Sequence, residues 1–114
     1  LCAFWDFLPT AADISGAATP RGIDGVSYLP DILGEPQREH DFLYWEFVEG
    51  KRPFQQAVRT GKWKALRPAP GQALELYDLD QDIGEKTNVA KEHPEVIQKI
   101  EGYLENARVD PGPV

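Results

Sequence analysis

Asp80, Asp82 and Gly84 have types and spacing that could do chemistry. They echo the start of a calcium loop, where oxygen ligands at alternate positions surround the ion. Such a loop needs a third acidic or amide ligand two residues on and a distal Glu, and Gly84 holds that third position. A turn explains the three residues better, because Asp bonds nearby backbone amides and Gly accepts positive φ. His40 and His93 lie far apart, each beside charged residues. A metal pair or a Ser-His-Asp arrangement would need a meeting in space that sequence does not supply. His93, just before Pro94, reads as a helix-boundary residue. Cys2 is the one cysteine. That excludes an internal disulfide and a cysteine-rich metal site, and the plainer reading of Cys2 is a small buried thiol.

Trp45 and Glu46 are adjacent, so strand alternation sends them to opposite faces. Trp45 either fills a sheet core or stacks on a ligand ring, and Glu46 is either a solvated neighbour or an acceptor for hydroxyls. Lys51 and Arg52 sit on a loop, solvated or meeting an anion. Arg59, Lys62, Lys64 and Arg67 gather positive charge on one hairpin, where such charges usually guard a sheet against edge pairing.

Composition bounds what these groups can serve. A chain of 114 residues is one domain or a piece of one, with a modest core. A net charge of −7 argues against nucleic acid and anionic membranes as partners. No run approaches the roughly 20 apolar residues of a membrane span. No signal peptide is visible: Leu1–Leu8 is short, lacks a basic start and contains Asp6. The chain has no Met, so its numbering is expected to begin inside a longer parent.

The elements that must position these residues follow from pattern. Asp6 is a candidate helix cap, with Pro9 inside the first turn where no amide bond is lost. Phe7, Leu8, Ala11, Ala12 and Ile14 supply an apolar face, and Gly16 ends the helix. Ser27-Tyr28-Leu29-Pro30 repeats the arrangement, with Gly34 as its stop. Phe42–Val48 is rich in strand formers. Gln56–Arg59 and Lys62–Arg67 flank Thr60-Gly61, a hairpin signal. Leu74–Leu79 is a fourth strand. From Pro94, the residues Val96, Ile97, Ile100, Tyr103, Leu104 and Ala107 recur at helical spacing, and that helix should end near Arg108. Gly102 interrupts it at about 1 kcal/mol against Ala. The expected fold is α+β: a four-stranded antiparallel sheet packed against a long C-terminal helix, preceded by short helices.

Several groups of residues carry a family resemblance. They are Asp6-x-x-Pro9-Thr10 with Gly16, Asp24-Gly25-x-Ser27-x-Leu29-Pro30 with Gly34, and Tyr44-Trp45-Glu46. Ala57-Val58-Arg59-x-Gly61-x-Trp63-Lys64, Leu76-Tyr77-Asp78-Leu79, Thr87–Ala90 and Glu92–Glu95 complete the set. Together they resemble the C-terminal subdomain of arylsulfatase-type sulfatases, in the alkaline phosphatase superfamily. The likeness departs at Ile83, where the family often has Pro.

The resemblance implies that residues 1–34 leave a missing N-terminal catalytic domain, that 35–110 form the subdomain, and that 111–114 are a tail. It implies an α/β catalytic domain in the parent, holding calcium and a formylglycine made from cysteine or serine. Cys2 is not that residue, since the family motif is Cys-x-Pro-x-Arg and Cys2 precedes Ala3-Phe4-Trp5. No catalytic residue, metal ligand or cofactor is therefore expected in this chain. It should be non-catalytic alone and help frame a cleft for a sulfated small molecule or glycan, with Trp45, Glu46, Lys51 and Arg52 as candidate substrate contacts. The family favours a periplasmic or secreted place. An autonomous carbohydrate-binding or interaction module is the alternative, and a phosphatase-type relative with a Ser or Thr nucleophile is a third.

Overall fold

The computed structural model describes residues 1–48 and 54–107. The chain divides into two compact units, Leu1–Asp41 and Phe42–Val114.

In the first unit a 3₁₀ turn, Phe4–Asp6, runs into helix α1, Phe7–Ser15. Gly16 ends α1 with φ 69°, the left-handed conformation that lets the last carbonyls be capped. Helix α2, Leu29–Ile32, is a single turn with Pro30 at its start, and Gly34 follows it at φ 75°. Asp6 occupies the position before α1, yet its side chain makes no capping bond to that helix. The apolar face of α1 is largely uncovered in this chain, as the resemblance implies for a helix that packs on a missing catalytic domain. Phe7, Leu8 and Ile14 are exposed, and the buried residues of α1 are Pro9, Thr10 and Ala12.

The second unit is an antiparallel meander in the order β1-β2-β3-β4: Leu43–Phe47, Gln55–Thr60, Trp63–Arg67 and Glu75–Asp78. The β2–β3 loop is Gly61-Lys62, because Thr60 already pairs with Trp63. The turn therefore sits one residue beyond the expected Thr60-Gly61. Gly61 takes φ 51° there, a sign that hairpin geometry demands and Gly supplies. Register aligns Tyr44, Val58, Ala65 and Leu76 in one row across the sheet.

Helix α3, Pro94–Ala107, lays Ile100 and Leu104 against Val58, Ala65, Leu74 and Leu76. Val96, Ile97 and Tyr103 pack around that cluster, as the spacing predicts. Full burial of each Leu or Ile is worth about 1.5–3 kcal/mol. Phe42 stacks on Tyr103 with centroids 4.2 Å apart. This is the expected α+β architecture, and no described helix is long and apolar enough to cross a membrane.

Candidate functional site

A buried polar site lies in the first unit, around Asp6, whose side chain is almost fully buried. The 3₁₀ turn brings it back beneath Ala3, whose amide donates to Oδ2 at 2.7 Å. The amide of Val26 donates to Oδ1 at 2.8 Å. The Nε2 of His40 lies 2.8 and 2.9 Å from the two oxygens. With a carboxylate as acceptor, that ring nitrogen carries the proton. Thr10 extends the site: its hydroxyl donates to the Asp6 carbonyl at 2.6 Å and accepts the amide of Tyr28 at 3.1 Å. Burial opposes ionisation of Asp6, but the amides of Ala3 and Val26 and the His40 ring outweigh it and hold the carboxyl below its usual range. Leu1, Cys2, Tyr28, Asp31 and Gln37 line the same small cleft. Cys2 is exposed there, not the buried thiol expected.

The sequence offers Asp6 as a helix cap and shows no partner in space for His40. The signal in the sequence is the pair of motifs Asp6-x-x-Pro9-Thr10 and Asp24-Gly25-x-Ser27, which hold or flank Asp6, Thr10, Val26 and Tyr28 but carry no sign that these residues meet, and neither motif includes His40.

The candidate substrate contacts lie on β1 and the segment after it. Trp45 pairs with Ala57 on the face opposite α3 and is 40 % exposed. Glu46 shares the face of Tyr44 and Gln56, is exposed, and accepts a hydrogen bond from the Tyr44 hydroxyl. Gln56 Nε2 donates to that hydroxyl at 2.8 Å. Lys51 and Arg52 lie outside the described residues.

The cations of the hairpin face carboxylates of their own unit. Lys62 meets Asp78, Lys64 meets Glu85 and Arg67 meets Glu101, each at 2.6 Å. Arg59 donates to the carbonyl of Gly61. The bond from Lys62 holds the Asp78 carboxyl below its usual range. On the other face the Tyr77 hydroxyl donates to Glu75 at 2.7 Å. That bond, then burial and the Glu75 charge, push the phenol up to about 12.

The Asp80–Gly84 segment is a turn. Asp82 Oδ2 takes the amides of Lys86 and Thr87, both at 2.7 Å. Beyond it Asn88 Oδ1 accepts the amides of Leu76 and Ala90 at 3.1 and 3.0 Å, and Val89 donates to the Leu76 carbonyl at 2.9 Å. Asn88 thus closes the outer side of β4. Among the described residues, no group of three or more His, Cys, Asp and Glu is placed to hold a metal ion.

Comparison with known proteins agrees with this architecture. The family model for N-sulphoglucosamine sulphohydrolase, C-terminal, matches residues 1–110. Arylsulfatase K of Mus musculus is 31 % identical over 109 residues, which cover 87 % of this chain and 20 % of that protein. A Delta 4,5-hexuronate-2-O-sulfatase of Bacteroides thetaiotaomicron is 34 % identical over 91 residues, 76 % of this chain and 19 % of that protein. Among solved structures, that of a 2-O GAG sulfatase has a TM-score of 0.77 at 30 % identity, covering 90 % of this chain and 23 % of the other. The chain spans about a fifth of the length of these curated relatives. With its motifs, its meander and its covering helix all accounted for, the chain belongs to the N-sulphoglucosamine sulphohydrolase C-terminal family, the C-terminal domain of sulfatases.

Proposed function

We propose that this chain is the C-terminal subdomain of an enzyme that hydrolyses sulfate esters of a sulfated saccharide, and that it works by docking on a catalytic domain and framing the substrate cleft. The observation that carries the reading is the outward apolar surface of the first unit. Phe4 is 92 % exposed, Phe7 62 %, Leu8 52 % and Ile14 65 %. Large apolar patches of this kind mark interaction surfaces, and α1 is short for a helix that stands on its own propensity. Residues 1–34 are then the segment leaving the catalytic domain, 35–110 the subdomain and 111–114 a tail. Two of the relatives named above, the Delta 4,5-hexuronate-2-O-sulfatase and the 2-O GAG sulfatase, carry saccharide substrates in their names, while the third is named an arylsulfatase; the first two support a glycan substrate.

Calcium and formylglycine are what the family implies for the catalytic domain. The described residues do not fit either group. Asp82 turns its carboxylate onto its own loop, and Cys2 lacks the Pro and Arg of the modification motif. This chain's share of the work is therefore binding and positioning. Trp45 can stack on a sugar face, Glu46 can accept sugar hydroxyls, and Lys51 and Arg52 can meet sulfate.

The test is sulfate release from a sulfated disaccharide, with calcium present, by the parent protein and by this chain alone. Turnover by the parent and background rates for the chain are expected. Calcium-dependent turnover by the chain alone, lost on Cys2→Ala, overturns the reading. The exposed Trp45 also favours a second reading, an autonomous carbohydrate-binding module. Saccharide binding by the isolated chain, together with a parent that has no sulfatase activity, would establish that one.

A further inference from the structure

We propose that residues 24–40 form a strap fastened over the start of α1 by the Asp6 carboxylate, and that this polar fastening, in place of an apolar core, fixes which side of the helix faces outward. The interior of the first unit is the first observation. Its buried residues are Asp6, Pro9, Thr10 and Ala12, while its large apolar side chains Phe4, Phe7, Leu8 and Ile14 are exposed. A core of that make-up supplies little hydrophobic stabilisation.

The second observation is where the bonds go. Val26 and Tyr28, near the start of the strap, bond Asp6 Oδ1 and Thr10 Oγ1. His40, at its far end, bonds both oxygens of Asp6. Between them the Gln37 amide donates to the carbonyls of Ser27 and Arg38 at 2.9 and 2.6 Å, folding the second half of the strap onto the first. Asp6 thus gathers donors 3, 20 and 34 residues away along the chain. Removing it releases the N-terminal turn and both ends of the strap together.

The third observation is the closeness of the fit. A Cβ at Gly25 would stand 2.4 Å from the Trp5 carbonyl oxygen and 3.0 Å from Pro9 Cγ. The strap therefore lies directly on the backbone at the start of the helix. His40 acts by donating from Nε2. Gln at this position carries an amide nitrogen at comparable reach, and Leu carries no donor.

Only the use of the outward face for docking rests on the function proposed above; the strap is a property of this chain. Amide exchange followed by NMR on the whole chain tests it, with Asp6→Asn, His40→Leu and His40→Gln. In the unaltered chain the amides of Ala3 and Val26 should be protected. They should exchange roughly tenfold or more faster in Asp6→Asn and His40→Leu, as loss of a hydrogen bond to a charged group implies. The amides of β2 and β3 should keep their protection in every variant, and His40→Gln should restore most of what His40→Leu loses. Exchange within the dead time across residues 1–41 of the unaltered chain overturns the strap. Protection unchanged in both Asp6→Asn and His40→Leu does the same, and a His40→Gln chain as labile as His40→Leu overturns the donor role. Phe7→Ser with Leu8→Ser in the parent, leaving its melting temperature unchanged, removes the docking reading and leaves the strap standing.

Discussion

One guanidinium nitrogen of Arg67, Nη2, reaches both carboxylate oxygens of Glu101, at 2.7 and 2.6 Å, and so ties the third strand of the sheet to the helix that covers it. The same guanidinium also donates to Gln56 Oε1 at 3.0 Å and to the Gln72 carbonyl at 3.2 Å. The pair is asymmetric: the Glu101 side chain is 44 % exposed and that of Arg67 17 %. Glu101→Gln should therefore cost no more than about 1 kcal/mol, as partly exposed ion pairs do. Arg67→Ala, which also strands Gln56, should cost more. Urea midpoints for the two variants decide it, and equal midpoints would show that the Gln56 and Gln72 bonds contribute nothing.

Trp63 should be the most sensitive aromatic of the hairpin. It packs against the core cluster, with the His93 ring 4.7 Å away and Lys62 Nζ 4.6 Å from its ring. Trp63→Ala should cost about 3 kcal/mol, the lower end for large aromatic truncations because the side chain is half-buried. Ile83→Ser, at an 82 % exposed position, should stay within about 0.5 kcal/mol. Chemical denaturation of both variants gives the comparison, and similar midpoints would contradict the packing described for Trp63.

Asn88 should matter more than its exposure suggests. Its side-chain oxygen holds the amide of Leu76, a residue with no exposure at all. Asn88→Ala leaves that donor without its partner and should cost about 1–3 kcal/mol. Asn88→Asp keeps an acceptor in place and should be close to neutral. Thermal melts of the two variants that coincide would show that the acceptor is dispensable.

Asp6 should set the acid limit of its unit. Its folded carboxyl is held below the ordinary value of 3.8 by its three donors, against the opposing effect of burial. The contribution to stability is therefore complete above about pH 3.9 and is lost as pH falls through the lowered value. Cys2, Tyr28, Asp31 and His40 line the same cleft and are the other titratable side chains there. In an acid titration followed by NMR, signals of residues 1–41 should lose dispersion in a step that Asp6→Asn lacks. Identical acid profiles for the two chains would remove Asp6 from that role.

The second unit was legible in the sequence because its patterns are local. Val96, Ile97, Ile100, Tyr103 and Leu104 repeat at the helical period and all turn toward the sheet. The strands around Gly61 could be paired from one turn residue, with an error of one position because Thr60 continues the ladder. Asn88 was missed, since an amide that substitutes for a strand neighbour leaves no periodic trace. In the first unit the same rules find the apolar face of α1, and in this chain that face is exposed. Spacing identified the apolar residues of α1 but carries no information on which side is covered. What decides that is Asp6 bonding residues as far away as position 40, and a contact over such a separation follows from no window of sequence. Of the candidate substrate contacts, the structure places Trp45 and Glu46 on exposed positions of β1, and Lys51 and Arg52 fall outside the described residues.

The inside-out arrangement of residues 1–41 has a practical side. In most small folds the side chains that make an isolated piece sticky are the ones that hold it together, so curing one fault creates the other. Here the two sets are separate. Asp6, Thr10, Gly25 and His40 carry the assembly of the unit, and Phe4, Phe7, Leu8 and Ile14 carry its surface. A handling-friendly version of the piece can be sought by rewriting the second set with polar residues while leaving the first untouched. A hydrophobicity score would advise the opposite, since it would rate Asp6→Leu as an improvement to the interior.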